Sequence, residues 1–134
     1  MNLAGIKRVR AAVEGGVWYT VEDTVGMEGV KLKVRGYGNS DYSRMYGDLA
    51  AAMPADKRDD AGVPVASERA AIVAECLKRT CLVGWNLDDE FSPAAVDAAF
   101  ADPDMGETWL NVVRYAAWRI AEDARKERDT AAKN

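Results

Sequence analysis

The sequence predicts an α+β domain, mainly α, in which an N-terminal β-hairpin at about 17–36 packs with about four helices, at about 40–53, 67–83, 93–101 and 105–127. Three observations carry this. "VWYTVEDTVGMEGVKLKVRGYG" alternates on either side of a glycine-bounded loop. Several later segments repeat apolar residues at helical spacing, and Ser92-Pro93 is a capping residue followed by proline at the first helical position. A chain of 134 residues fits a single domain over 1–134, large enough to enclose a core without staples.

In the hairpin, a four-residue loop Gly26–Gly29 sets Val25 opposite Val30, Val21 opposite Val34 and Glu22 opposite Lys33. Asp23 opposite Leu32 is the misfit of that register, which a bulge would accommodate. Lys31, Lys33 and Arg35 then form a basic stripe that reads as a solvated strand face or as edge protection.

Asn39 or Ser40 caps the next segment, where Tyr42, Met45, Tyr46 and Leu49 share a face and Pro54 stops the helix. "PADKRDDAGVPVAS" has prolines, a glycine and no period, so residues 54–66 are expected to be a flexible loop. Ser67 is expected to cap a helix whose apolar face holds Ile72, Val73, Cys76, Leu77, Thr80 and Cys81, with Gly84 as its stop. Val96, Ala99 and Phe100 supply the buried side of the short helix after Ser92. The last helix carries a stripe of Trp109, Val113, Ala116, Ile120 and Ala124, with a Glu122–Lys126 pair at i,i+4. The weakly amphipathic residues 1–14 and the polar residues 128–134 are expected to be poorly ordered tails.

The absence of histidine removes the commonest general base, the Ser-His-Asp and Cys-His arrangements and most transition-metal sites. Asp88, Asp89 and Glu90 are adjacent, whereas a calcium loop needs oxygen ligands at alternate positions and a central glycine. No phosphate-cradling glycine motif occurs, so neither catalysis nor a cofactor or metal is expected. A net charge of −4, with most acids in the C-terminal half, disfavours nucleic acid and suits a basic protein partner. No segment approaches a membrane span or a secretory apolar core, which points to a reducing cytoplasm and to free thiols at Cys76 and Cys81.

Between Arg79 and Arg114 there are seven acids and no lysine or arginine, a one-sign stretch that reads either as a solvated face or as a negative docking surface. It contains "VGWNLDDEFSPAAVDAAFADPD", residues 83–104, where Trp85 and Phe91 are either glue between two helices or a place for a partner. Trp109 and Trp118 are two and a half turns apart, so one can be buried while the other is exposed as an anchor.

Taken in order, "W…VKLKVRGYGNSDYSRMYGDL", "ERAAIVAECLKRTCLVGW" and "GWNLDDEFSPAAVDAAFADPDMGETWLNVVRYAA" make the chain resemble the small tail assembly chaperones of long-tailed bacteriophages over roughly residues 17–121. The last segment is the most telling, with its tryptophan, acidic turn, Ser-Pro helix start and "ADPD" before a final helix. The resemblance implies a non-catalytic protein of the host cell cytoplasm, absent from the finished virion. Such a protein binds the tape measure protein, keeps it soluble and assists tail tube subunits in polymerising. The partner surfaces then expected are Trp85, Leu87, Asp88, Asp89 and Phe91 in the connector, with Trp109 and Trp118 on the last helix. The rival role is a structural component of the neck or tail, with the hairpin and N-terminal tail as assembly arms.

Overall fold

The computed structural model describes residues 2–133, and it is an α+β structure of five helices and one three-stranded antiparallel sheet. The elements are α1 (Leu3–Gly15), β1 (Val17–Thr20), β2 (Lys31–Val34), α2 (Ser40–Ala51), α3 (Ala66–Cys76), β3 (Leu82–Trp85), α4 (Pro93–Ala101) and α5 (Gly106–Lys133). The strand order is β1-β2-β3. The core lies where β2 and β3 meet α5: Leu32, Val34, Leu82, Val113, Ala116 and Ala117 are all buried. The whole expected stripe of α5 is buried.

The hairpin forms in a different register from the expected one. Val17 pairs with Val34 and Thr20 with Lys31, four positions from the expected partners. The displacement is even, so each side chain keeps its face and the alternation of the sequence is still satisfied. The residues between the strands make two successive turns, in which Met27 N donates to Thr24 O and Val30 N donates to Met27 O, each at 3.1 Å. Met27 is 2% exposed, plugged into the core, where a tight four-residue loop would have left it at the tip in water. Asp23, the misfit of the expected register, lies in the left-handed region of a turn and outside the ladder.

The helix expected over 67–83 ends early. α3 stops at Cys76, one wide π-type turn covers Leu77–Cys81, and Leu82–Trp85 become a strand on β2. The outward main-chain groups of β2 decide this, because a buried strand edge must be paired. Arg35 N donates to Cys81 O at 2.8 Å and Asn86 N to Lys31 O at 3.1 Å. Val83 and Trp85 suit a strand, and Gly84 fits beside Lys33. The Thr80 hydroxyl donates to Cys76 O at 2.7 Å, which helps the helix widen and end. Ser67 lies one residue inside α3 and does not cap it; the cap position is Val65, without a side-chain bond.

Within the described residues both expected tails carry helix, and Met1 and Asn134 lie outside them. Residues 3–15 form α1, which lies against α5, and α5 continues past 127 to Lys133. Docking of α1 uses Gly5 at close range: a Cβ there would be 3.0 Å from Arg128 Cγ. Glu122 pairs with Arg125, not with Lys126. Residues 54–66, expected to be flexible, contain a short 3-10 turn and a bridge between Arg58 and Pro64. The Arg58 guanidinium donates to the Ala50 and Ala51 carbonyls at the end of α2 and to Met53 O just beyond it, and so pins the loop to that helix end.

Asn39 joins three elements and is 0% exposed. Its Oδ1 accepts from Tyr42 N at 2.8 Å and caps α2, while Nδ2 donates to Gly36 O at 3.1 Å and to Cys81 Sγ at 3.7 Å. Asn39→Ala removes the cap and strands buried polar groups. It is expected to destabilise by about 2 kcal/mol in urea unfolding, and Asn39→Ser, which keeps a capping oxygen, by less.

Candidate functional site

The connector between β3 and α4 is built as an aromatic knot. Trp85, at the end of β3, meets Phe91 edge-on at 4.9 Å between ring centroids, and Trp109 of α5 lies 5.8 Å from Trp85. Phe100 of α4 stacks on Trp109 at 6.3 Å. The Trp85 indole N–H donates to Asp89 O at 2.8 Å, so the acidic turn folds back over the ring. Ser92 caps α4 by accepting from Ala95 N, and Asp102 Oδ1 accepts from Met105 N at the entry to α5. Of the expected partner-binding residues, Trp85, Leu87 and Phe91 are half-buried and Trp109 is 9% exposed, all of them engaged in this packing. Asp88 and Asp89 are exposed on the turn.

The acids of the one-sign stretch do not all stay unpaired. Asp97 on α4 takes two bonds from Arg79, at 2.8 and 3.0 Å, and an ion pair from Lys78 at 3.1 Å. Those bonds, led by Arg79, hold its carboxyl below the usual carboxylate range. Asp88, Asp89, Glu90, Asp102, Asp104 and Glu107 make no ion pair among the described residues, which leaves a negative patch over the turn and both ends of α4.

The expected basic stripe is reduced to Lys31 and Lys33. Arg35 turns away from solvent: Nε donates to Glu14 O at 2.7 Å, Nη2 to the Glu14 carboxylate at 3.0 Å, and Nη1 to Asp41 at 2.8 Å and Thr80 O at 3.3 Å. Cys81 is buried and free, and burial pushes its thiol up to about 11, so it is an inert core thiol. Among the described residues no three His, Cys, Asp or Glu side chains come together as metal ligands would.

The exposed aromatic surface is elsewhere. Trp118 is 50% exposed on α5, with Tyr115 exposed beside it at 6.0 Å, and Tyr19 meets Tyr115 edge-on at 6.3 Å. Arg119 is clamped by Asp123 at 3.1 Å and by the Tyr115 hydroxyl at 3.1 Å. The Trp18–Thr20 segment of β1 and Glu22 border a groove of about 250 Å³ with Tyr115, Arg119 and Asp123 on its other side, while the Trp18 ring lies on the opposite face of the sheet, over Gly84. The groove widens to about 410 Å³ between Val21–Thr24 and Thr108, Asn111 and Val112 of α5.

Of the two tryptophans on the last helix, Trp118 is the exposed one, and the sequence reading did not single out Tyr115 or Tyr19 beside it. Tyr115 and Trp118 are three apart and flanked by Arg114 and Arg119, off the buried stripe of α5, which is the signal that places both on the outer face. Among the described residues no helix is long and apolar enough to cross a membrane. No protein-family model, curated protein or solved structure matches the chain.

Proposed function

We propose that the chain is a non-catalytic phage tail assembly chaperone of the host cytoplasm that binds the tape measure protein, keeps it soluble and assists tail tube polymerisation. The supporting observation is the exposed aromatic pair Tyr115 and Trp118 on a helix whose opposite face is fully used by the core. Large exposed aromatics beside polar rims are what a partner-covering surface uses. The unpaired acids of the 88–107 region add negative charge elsewhere on the surface, suited to the basic residues of an amphipathic client helix. The ordered motifs over residues 17–121 point the same way. The rival role in the virion neck or tail drew on free assembly arms, whereas α1 lies on α5 and the hairpin is joined to β3.

Co-expression with a tape measure protein encoded beside this chain tests the reading. A soluble complex is expected, and an insoluble tape measure with no co-eluting chain overturns it; recovery of this chain from purified virions supports the rival role. Trp118→Ala is expected to leave stability within about 0.5 kcal/mol, as surface changes do, while weakening the complex by about tenfold or more.

A further inference from the structure

The free edge of β1 is guarded only by its length of four residues. In the β1–β2 ladder Val21 N donates to Val30 O at 2.9 Å, which fixes the phase: Val21, Tyr19 and Val17 direct their main-chain groups toward β2. Trp18 and Thr20 therefore direct theirs away from the sheet, and neither main chain has a hydrogen bond outside the ladder among the described residues. Edge strands are ordinarily protected by lysine, proline, a bulge or a covering element. "VWYT" carries none of the residue-level guards, and the groove beside it lies open to Tyr115, Arg119 and Asp123.

The groove also selects by charge. Glu22, Asp23 and Asp123 line it against one guanidinium, Arg119, which Asp123 already pairs. Glu22 and Asp23 make no ion pair among the described residues. We infer that the β1 edge and this groove bind an extended polypeptide segment of alternating apolar and polar residues bearing lysine or arginine, which adds to β1 as a fourth strand. Its amide and carbonyl groups pair with Trp18 and Thr20. One set of its side chains faces Tyr19, Val112 and Tyr115, and its basic residue lies beside Glu22 and Asp23. The inference stands apart from the chaperone reading, because the probe below contains no tape measure sequence.

The probe is the capped peptide Lys-Val-Thr-Val-Lys-Val-Thr, followed by amide NMR shifts and hydrogen exchange on the full chain. Saturable shifts are expected at Trp18 and Thr20, with exchange of those two amides slowed by about tenfold or more at a peptide concentration of about 1 mM, the range of a single added strand. The same peptide with glutamate in place of lysine is expected to bind at least about tenfold more weakly. Thr20→Pro removes the outward N–H without touching the β2 ladder, so it is expected to abolish binding and to leave thermal unfolding in place. Should that variant misfold, the probe N-methylated on alternate amides asks the same question of the native protein and is expected not to bind. No shift at that concentration, shifts confined to another face, or equal binding by the N-methylated probe overturns the inference. So does self-association of the free chain with Trp18 and Thr20 already protected, which assigns the edge to a second copy.

Discussion

Gly106→Ala is expected to lower stability by at least about 3 kcal/mol, the scale of a backbone clash that side-chain motion cannot relieve. A Cβ at Gly106 would lie 2.3 Å from Phe100 O and 3.0 Å from its carbonyl carbon, so α4 and α5 would have to separate at their elbow. That elbow is tightly made: Gly106 N donates to Asp102 O at 2.8 Å, and Asp102 Oδ1 receives the amides of Asp104 and Met105. Separation also pulls Phe100 from Trp109, and Trp109 meets Trp85, on which Phe91 packs. The loss is read from the urea midpoint by tryptophan fluorescence. Gly47→Ala is the matched control, because a Cβ there meets nothing within 4 Å in the middle of α2. That change is expected to stabilise by about 0.5 to 1 kcal/mol. A Gly106→Ala protein as stable as its parent would mean that the α4–α5 elbow is looser than its hydrogen bonds require.

The elements most legible in the sequence are those held by a side-chain period. α5 declares its buried stripe, Ser92-Pro93 declares the start of α4, and the alternation around residues 17–34 declares a hairpin. What is hidden depends on main-chain demands that no residue type reports. β3 was hidden because Leu77–Trp85 is apolar enough for a buried helix, and only the unpaired outer edge of β2 favours a strand there. The hairpin register was hidden because an even slip preserves every face and the deciding event is the burial of Met27. α1 was hidden because it docks through Gly5 and Val13 while Leu3 and Ile6 stay exposed, so it carries little stripe.

The candidate site was legible in a similar measure. Connector aromatics and acids stand out as a local cluster, and the structure divides them by role: Trp85, Leu87, Phe91 and Trp109 pack, while Asp88 and Asp89 face water. A count of aromatics cannot make that division, because it depends on which strand the connector leaves and which helix it meets. The groove between β1 and α5 joins residues about a hundred positions apart, and only the path of the sheet over α5 brings them together.

Arg35→Met is expected to cost about 3 kcal/mol, since it removes a nearly enclosed guanidinium and leaves its acceptors with fewer partners. The side chain is 14% exposed and ties the end of α1, the start of α2 and the turn before β3 through Glu14, Asp41 and Thr80. Arg35→Lys is expected to recover only part of the loss, because a single ammonium cannot reproduce the fork. The pH dependence separates this from a simple packing defect. Burial pushes the Glu14 carboxyl up, but bonds from the Ser40 hydroxyl and amide, with Arg10 and Arg35, outweigh it and leave the group below its ordinary value. Asp41 is lowered too, chiefly by its hydrogen bond from Arg35. A carboxylate whose folded pKa is depressed stabilises the protein fully above its unfolded pKa and loses that contribution as pH falls through the folded value. The parent is therefore expected to lose stability on acidification below the ordinary carboxylate range. In Arg35→Met that acid limb is expected to flatten, as Asp41 keeps only Arg44 and Glu14 only Ser40 and Arg10. Urea midpoints measured from neutral pH into the acid range compare the two proteins. An acid limb unchanged by the substitution would place the charge coupling of this clamp elsewhere than at Arg35.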